Sequence, residues 1–355
     1  LKKYIDLNFV KSFRINKINN LRIESTESNM ICKGCAAKIS INVIKNSLPE
    51  TITYNSNDSS NIKNSNNHVY SVDMINSIVT DPYHLGMISV NHALNDIFAS
   101  GSKPVSAQMI LQLPIGNEKI HKRDIKQIFK GSKKVLDNFS CDLVGGHTMI
   151  GEDPNPVIGF SVIGKKNMIQ KKKIVKNGDL LFLTGKIGSG LIFAGINSNA
   201  IDSFYQLEVL NHMTSVNKLL SKALKDIMPL CCTDITGYGL ANHLIHLLNR
   251  IKNLHGLSIY VENIPVFEGV KFCLKNNVKS TFFEQNFNYC KNFISYENKF
   301  KKIDEIIFDP QTVGGLAFIV PQNKKQETLK VLKHYSIKSS IIGQVDNSKS
   351  FITIK

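Results

Sequence analysis

The most reactive side chains of the sequence lie near its start, where two cysteines and a lysine follow one another at short spacing. Cys32 and Cys35 are three positions apart, and Lys38 lies three positions after Cys35. Two cysteines at this spacing are typical of a redox motif, of half a zinc site or of two unconnected thiols. A nearby ammonium lowers the pKa of a thiol, and the thiolate is the nucleophile. We therefore interpret Cys35 and Lys38 as candidate catalytic residues, with surface thiols as the alternative.

Four aspartates occur in settings that do not suit an ordinary solvated surface. Asp58 lies in a polar loop, Asp73 ends a β-type run, Asp96 lies in an apolar helical stretch, and Asp234 precedes a glycine-containing turn. An aspartate among apolar residues must be paired or bound to a metal when it is buried. Mg²⁺ takes one or two carboxylates together with phosphate oxygens and water. The aspartates therefore predict metal-bound polyphosphate, although each of them alone is also compatible with a structural role.

A pair of glycines forms a further candidate site. Gly145-Gly146-His147-Thr148 follows the apolar pair Leu143-Val144, so we predict a strand end at which the backbone can approach a phosphate or a base closely. The Gly-Lys-Ser/Thr ending of a P-loop is absent from the sequence, as are the loops of protein kinases. If this chain binds ATP, it binds it with another fold.

Alternating strands and helices are predicted on both sides of a Lys-rich stretch at 165–177. Predicted strands are 69–72, 105–113, 143–144, 157–163 and 180–184, and predicted helices are 84–99, 124–136, 213–228 and 240–249. Residues 275–303 have weak periodicity and are predicted to be an irregular insertion. Because a turn signal ends the Lys-rich stretch, we expect a tail or linker at 1–30, an N-terminal domain at 31–165 and a C-terminal α/β domain at 176–350.

Length and composition limit the class of protein. A chain of 355 residues exceeds what one hydrophobic core usually holds, which favours two domains. The net charge of +16 comes from lysines spread along the whole chain without interleaved aromatics, so we expect no nucleic-acid site. No apolar run of about 18 residues occurs, so we expect a cytoplasmic protein without a membrane segment. The seven scattered cysteines do not suit a secreted disulfide framework.

Several ordered motifs resemble those of the selenophosphate synthetases, which belong to the superfamily of aminoimidazole ribonucleotide synthetase. The resemblance covers about residues 31 to 350, and its motifs keep the family's order and spacing. They are Gly-Cys-Ala-Ala-Lys-Ile (34–39), Asn-Asp-Ser-Ser (57–60), Ser-Val-Asp (71–73), Thr-Asp-Pro-Tyr (80–83), Asn-His-Ala-Leu-Asn-Asp-Ile-Phe-Ala-Ser-Gly (91–101), Gly-Gly-His-Thr (145–148), Thr-Asp-Ile-Thr-Gly-Tyr-Gly-Leu (233–240) and Asp-Pro-Gln-Thr-Val-Gly-Gly-Leu (309–316). Each motif is weak alone, and the ordered set is specific.

The resemblance implies a fold, a reaction and an assembly. The fold has two α/β domains of the aminoimidazole ribonucleotide synthetase type, each with a mixed sheet flanked by helices. The family uses ATP, Mg²⁺ and water to convert selenide into selenophosphate, with AMP and phosphate as the other products. Its members pair their N-terminal domains, so a homodimer is expected, with ATP between the domains and at the dimer interface.

The resemblance also assigns roles to positions of this chain. Cys35 matches the family's catalytic cysteine or selenocysteine on a mobile N-terminal arm, and Lys38 matches its essential lysine on the phosphates. The positions that match Mg²⁺ ligands are Asp58, Asp73, Asp96 and Asp234. Those that match nucleotide-binding residues are Lys38, Asn57, Asp73, Asp96, Gly146, His147 and Thr148, the last three as a nucleotide-binding turn.

This chain departs from the family pattern at several positions, and the departures keep two alternatives open. Asn57 stands where many members have Asp, Ala37 where some have Cys, and Val313 where the family has Ser. One alternative is a superfamily member that phosphorylates another acceptor. The other is an ATP-binding partner that regulates a fused or associated NADH-dependent flavin oxidoreductase, since the segment Tyr-Ile-Asp-Leu-Asn-Phe (4–9) resembles the end of such a domain.

Overall fold

The computed structural model describes residues 58–62, 65, 67–166, 174–215, 218–251, 256–347 and 351–355. These residues form two mixed sheets, one from each half of the chain, and helices cover them. The predicted fold class, two α/β domains with mixed sheets, is therefore confirmed. No helix in the described part of the chain is both long and apolar enough to cross a membrane.

The first sheet has five strands in the order β1-β2-β5-β3-β4. The strands are β1 (Ser60–Asn61), β2 (His68–Asn76), β3 (Ser102–Pro114), β4 (Asp142–Gly151) and β5 (Val157–Lys166). Strands β3 and β4 are parallel, and all the other pairs are antiparallel. Burial alternates along β2 and β3, as expected when one face of a sheet packs on a core and the other does not.

Two helices cover the buried face of the first sheet. Helix α1 (Pro82–Ala99) begins where the Asp81 side chain accepts a hydrogen bond from the backbone N–H of His84, and proline occupies its first turn. Helix α2 (Glu118–Leu136) begins in the same way at Asn117. From Ile88 to Ala99 every residue of α1 is buried, because this helix packs on the first sheet and also contacts elements of the second half.

The second sheet has seven strands in the order β7-β10-β6-β11-β8-β12-β9. They are β6 (Leu180–Thr184), β7 (Cys231–Asp234), β8 (Gly256–Ile259), β9 (Ile294–Tyr296), β10 (Leu316–Val320), β11 (Ser339–Asp346) and β12 (Ile352–Ile354). β12 runs parallel to β8 and β9, and the remaining pairs are antiparallel. Every residue of β6, β8 and β10 is buried, which explains their continuous apolar runs.

Seven α-helices are described in the second half of the chain. They are α3 (Ser189–Asn197), α4 (Gln206–Thr214), α5 (Lys218–Ile227), α6 (Gly239–Asn249), α7 (Val270–Lys275), α8 (Phe283–Cys290) and α9 (Lys325–His334). The continuous helix predicted over 213–228 is wrong, because α4 ends at Thr214. The backbone of the next residue, Ser215, is extended with φ −69° and ψ 138°.

The irregular insertion predicted at 275–303 is also wrong. The segment contains α8 and β9, and β9 pairs with β12 at one edge of the second sheet. The side chain of Asn286 in α8 is buried and donates to the carbonyls of Gly237 and Phe308 at 3.1 and 3.0 Å. The amide of Asn286 therefore binds buried backbone carbonyls inside the domain. The Asn-rich composition of this segment does not indicate a solvated loop.

Candidate active site

The four candidate aspartates come from both halves of the chain. Asp73 lies in β2 and Asp96 in α1, whereas Asp234 ends β7 of the second sheet. Asp58 lies two residues before β1, and its carboxylate contacts Thr233 and Arg250 of the second half of the chain. All four side chains are buried or nearly so, with Asp73 the most exposed at 10%. The candidate site is therefore built where the first sheet and α1 meet the second sheet.

Asp58 is held by two residues of the second half of the chain. The guanidinium of Arg250 donates to both of its carboxylate oxygens, at 3.0 and 3.1 Å, and the Thr233 hydroxyl donates to one of them at 3.0 Å. This two-pronged geometry is the strongest form of an Arg-carboxylate pair. Burial lowers the pKa of Arg250, but Asp58 more than offsets this effect and the pKa is raised, so the guanidinium stays charged.

Asp234 is next to Asp58 and lies at the start of a turn that a histidine stabilises. One ligand atom from each of Asp58, Asp234 and His243 lies within 4.8 Å of the others. The ring Nε2 of His243 accepts a hydrogen bond from the backbone N–H of Thr236 at 3.1 Å, which fastens the turn after Asp234 to helix α6. His243 is therefore a residue that fixes the position of Asp234, and it was not among the candidates chosen from the sequence.

A serine connects Asp96 to Asp58. The hydroxyl of Ser71 donates a hydrogen bond to the carboxylate of Asp96, and it also lies 3.1 Å from the backbone carbonyl of Asp58. Ser71 is in β2 and Asp96 in α1, so this contact joins the strand to the helix that covers it. The carboxylate of Asp96 therefore lies on the same side of the first sheet as the segment that carries Asp58.

Asp73 meets α1 one helical turn away from Asp96. Its carboxylate lies 3.6 Å from Nε2 of His92. Ser71 and Asp73 are about 7 Å apart along the strand, and His92 and Asp96 are about 6 Å apart along the helix axis. The contacts from Ser71 to Asp96 and from Asp73 to His92 are therefore in matching register. Asp73 and Asp96 thus face the same layer between β2 and α1.

The side chains of this cluster fit a divalent hard cation. Their donors are carboxylate oxygens, which Mg²⁺ prefers, and the contacts above connect Asp58, Asp96 and Asp234 with the guanidinium of Arg250. Buried carboxylates in excess of cations are costly unless a further positive charge is bound. The pair with Arg250 shows that Asp58 already faces a cation in this structure. Asp58 and Asp234 are the residues that would hold a metal together.

The predicted turn at Gly145-Gly146-His147-Thr148 is wrong as local structure, because these residues lie inside strand β4, which continues to Gly151. β4 is an edge strand of the first sheet and is largely exposed. A Cβ atom on Gly146 would lie 2.0 Å from the carbonyl oxygen of Met109, so the close neighbour that requires glycine here is the backbone of β3. His147 and Thr148 are exposed.

Cys35, Lys38 and Asn57 lie outside the residues that the structure describes. Four of the described cysteines are poor nucleophiles, since burial raises the pKa of Cys141 to about 12 and that of Cys273 to about 11. Burial also raises the pKa of Cys232 and Cys290.

Side chains of the motif at 309–316 bind backbone N–H groups at the start of helix α3 in the second domain. Gln311 accepts hydrogen bonds from the backbone N–H groups of Gly188 and Ser189 at 2.9 and 3.1 Å. Asp309 accepts from the N–H of Leu191 at 3.2 Å, and burial raises the pKa of Asp309 to about 7. A Cβ on Gly315 would lie 1.5 Å from the Thr184 carbonyl oxygen, so this glycine is required by packing.

Two family models cover most of the chain. The model of the N-terminal domain of AIR synthase related proteins matches residues 56–165, and that of the C-terminal domain matches residues 176–355. Solved structures share the fold. Thiamine monophosphate kinase from Aquifex aeolicus superimposes with a TM-score of 0.62 at 18% identity, covering 89% of this chain and 94% of that one. A chain from the structure of a HypE–HypF complex gives a TM-score of 0.65 at 19% identity, covering 88% of this chain and 94% of that one.

Curated relatives define the branch within that class. The selenide, water dikinase of Carboxydothermus hydrogenoformans is 30% identical over 293 residues, which are 81% of this chain and 82% of the relative. That of Clostridium botulinum strain Eklund 17B is 28% identical over 338 residues, 91% of this chain and 96% of the relative. The chain therefore belongs to the selenide, water dikinase family of AIR synthase related proteins, a family of kinase-type enzymes.

Five residues of this site were not found by sequence reasoning, namely Ser71, Thr233, Arg250, His92 and His243. Ser71, Thr233 and His92 lie inside motifs that carry the family resemblance, and His243 follows one of them. Selecting these residues would have required knowing which side chains point toward the site in the folded protein. Arg250 follows the last residue of α6 in a chain rich in basic residues, and nothing local distinguishes it.

Proposed function

We propose that this protein uses ATP to convert selenide and water into selenophosphate, AMP and phosphate. The observation that carries the proposal is the junction of Asp58, Asp73, Asp96 and Asp234 from both halves of a chain whose relatives are selenide, water dikinases. Phosphoryl transfer needs positioning and neutralisation of phosphate charge more than it needs acid-base groups. A cluster of buried carboxylates that would hold cations supplies this requirement.

Magnesium and ATP are the ligands that we assign to this cluster. When bound, Mg²⁺ neutralises charge on the phosphate oxygens and orients them for in-line transfer. In this chain, Asp58 and Asp234 would hold the metal, with Asp96 and Asp73 next to them on the first domain. Arg250 holds the carboxylate of Asp58 in place and keeps a positive charge beside the site.

We assign the reactive thiol and the phosphate-binding ammonium to Cys35 and Lys38, as the family resemblance implies. For the nucleotide, the proposed contacts are Lys38, Asn57, Asp73, Asp96, Gly146, His147 and Thr148. The exposure of β4 supports the proposed nucleotide contacts on this strand, because the side chains of His147 and Thr148 are accessible to a ligand. The cytoplasmic location expected from the sequence stays a prediction.

We further propose that a second copy of the chain covers the outer face of the first sheet. Tyr70, Val72 and Met74 alternate along β2 with their side chains exposed, and Ile163 lies beside Tyr70 on β5. Val72 alone exposes 55% of its surface. Adjoining exposed apolar side chains of this kind mark interaction surfaces. A homodimer through this face would also bring the exposed β4 strands toward the interface.

The proposed reaction is tested by ³¹P NMR of ATP turnover under anaerobic conditions with Mg²⁺, with and without selenide. We expect selenide-dependent formation of AMP and a new phosphorus signal from selenophosphate in the wild type. Cys35→Ala, Lys38→Ala and Asp234→Asn are expected to abolish both. Asp137→Asn, which changes an exposed carboxylate paired with Lys133, is the matched control and is expected to retain them.

The same experiment distinguishes the alternatives. Formation of ADP without AMP would identify a kinase that acts on another acceptor. Nucleotide binding without turnover in the folded wild type would favour an ATP-binding partner of an oxidoreductase. Either result would contradict the proposed selenophosphate synthesis.

A further inference from the structure

An unusual backbone conformation lies next to the candidate site. Val313 has φ +50°, in the left-handed region, and its side chain is 1% exposed. A β-branched residue rarely adopts this conformation, so the backbone of Val313 is strained. Such strain persists only where the surroundings impose it. The contacts of Val313 show which groups do so.

Two histidines from different helices hold the backbone of Val313. Its N–H donates to Nδ1 of His92 in α1 at 3.2 Å, and its carbonyl accepts from Nε2 of His212 in α4 at 3.1 Å. Burial lowers the pKa of His212, which favours the neutral ring in this contact. The strained residue is therefore fastened to the first domain on one side and to the second domain on the other.

The contact with Val313 fixes which nitrogen of His92 carries a proton. Because Nδ1 accepts a hydrogen bond, a neutral His92 carries its proton on Nε2. Nε2 is the atom that lies 3.6 Å from the Asp73 carboxylate. His92 is 1% exposed, so solvent does not compete for either ring nitrogen. The Val313 turn thus orients an N–H group toward Asp73.

Neighbouring residues of α1 make parallel contacts. Asn95 donates to the carbonyl of Gly314 at 3.0 Å, directly beside the Val313 contact. Asn91 donates to the carbonyls of Met213 and Ser215 at 2.9 and 3.1 Å, at the end of α4. One polar face of α1 therefore binds the second domain at backbone atoms. Of these three side chains, His92 is the one whose described contacts also include a candidate ligand of the metal or nucleotide.

We propose that His92 is a positioning residue that orients the Asp73 carboxylate and couples it to the strained Val313 turn of the second domain. The inference rests on the proposed function, because Asp73 matters here as a ligand of magnesium nucleotide. A second group that orients a metal-binding carboxylate typically changes metal affinity by about 10- to 100-fold. His92 is a positioning residue because its proposed effect on binding acts through the Asp73 carboxylate.

The test measures binding of a non-hydrolysable ATP analogue by calorimetry, with and without MgCl₂. His92→Ala is expected to raise the dissociation constant of the magnesium form by about 10- to 100-fold. Without magnesium, its affinity is expected to stay within about twofold of the wild type. His92→Gln, whose amide can still donate toward Asp73, is expected to recover most of the lost affinity. A residue with only a packing role would show neither the magnesium dependence nor the recovery.

A double-mutant cycle shows whether His92 acts through Asp73. Asp73→Asn is expected to weaken binding of the magnesium form, and adding His92→Ala is expected to weaken it little further, since both variants remove the same interaction. His246→Ala is the matched control. His246 is a buried histidine of α6 that stacks on Tyr289, and its loss is expected to leave the dissociation constant unchanged.

Separate results would overturn the inference and the proposed function. Wild-type affinity in His92→Ala, or full additivity with Asp73→Asn, would show that His92 does not position Asp73. If the wild type binds the analogue equally with and without magnesium, the proposed metal-nucleotide site fails and the inference fails with it. If His92→Ala does not fold, His92→Gln and the Asp73 variant complete the test, and a weak His92→Gln would count against the inference.

Discussion

The two sheets of this protein differ in how completely the chain itself buries them. In the second sheet, β6, β8 and β10 are buried throughout, and Phe182 of β6 stacks on Phe318 of β10 with ring centroids 5.4 Å apart. In the first sheet, one face packs on α1 and α2, while the other exposes apolar side chains along β2. The second sheet therefore has a complete core, and the first has a face suited to a partner.

This difference separates two kinds of apolar residue that look alike in the sequence. Apolar residues of the second sheet contribute to folding stability through burial within one chain. Exposed ones such as Val72 bury little surface within one chain and would contribute through association. Variants at the two kinds of position should therefore differ in which quantity they change.

The largest expected effect on stability is in the second sheet. Phe318→Ala removes a side chain that is fully buried, so we expect the free energy of unfolding to fall by about 4 kcal/mol. The measurement is urea unfolding followed by circular dichroism. Phe129→Ala, at a phenylalanine of α2 that is 44% exposed, is the matched control and should cost less than about 1 kcal/mol. Equal losses in the two variants would remove the basis of the comparison.

A second effect is expected where the two halves of the chain meet. Arg250→Ala leaves the mostly buried carboxylate of Asp58 without its guanidinium, and we expect a loss of about 3 kcal/mol in unfolding free energy. Arg123→Ala removes a pair whose arginine is mostly exposed and should cost under about 1 kcal/mol. If the two losses were the same in urea unfolding, the Asp58 pair would not contribute to the junction.

Asp309 makes the stability of the second domain depend on pH. Burial raises its pKa from 3.8 to about 7, so between about pH 4 and 7 the folded protein keeps a proton that the unfolded chain releases. Stability therefore falls as pH rises through this range, by at most about 1.4 kcal/mol per pH unit from this group. Asp309→Asn should remove this slope. Urea unfolding at several pH values checks it, and parallel wild-type and variant profiles would contradict it.

The smallest effect on stability is expected on the exposed face of the first sheet. Val72→Lys should change the unfolding free energy of a dilute sample by less than about 0.5 kcal/mol. The same variant should shift the molecular mass from dimer to monomer in analytical ultracentrifugation. Phe129→Lys, at an exposed apolar position of α2 on the helix-covered side of the sheet, is the control for the added charge. A monomeric wild type would contradict the proposed second copy.

The elements that the sequence predicted best are those whose signals are local. The helix predicted at 84–99 is confirmed as α1, Pro82–Ala99, because apolar spacing continues to its end. The strand predicted at 180–184 is β6 with the same bounds, since a short apolar run before a glycine is typical of a buried strand. In both cases the pattern of apolar residues within the element is sufficient to predict it.

Elements that depend on distant partners were predicted less well. Strand β4 continues through Gly145 and Gly146 because it pairs with β3, and two glycines alone predict a turn. At the site, sequence reasoning selected the aspartates as a group, and the structure brings Asp58, Asp96 and Asp234 into connected contacts. Their roles remain predictions. Arg250 could not be selected, because only the folded chain brings it to Asp58.

The order of strands in the second sheet has a consequence for how this protein is made. Thr184 at the end of β6 bonds to Leu316 at the start of β10, 132 positions later in the chain. At translation rates of about 5 to 20 residues per second, β10 is synthesised roughly 7 to 26 s after β6. The strands of the first sheet all lie within residues 60–166, so that sheet can assemble during this interval. The exposed outer face of the first sheet can therefore form during synthesis, before the strands of the second sheet are complete.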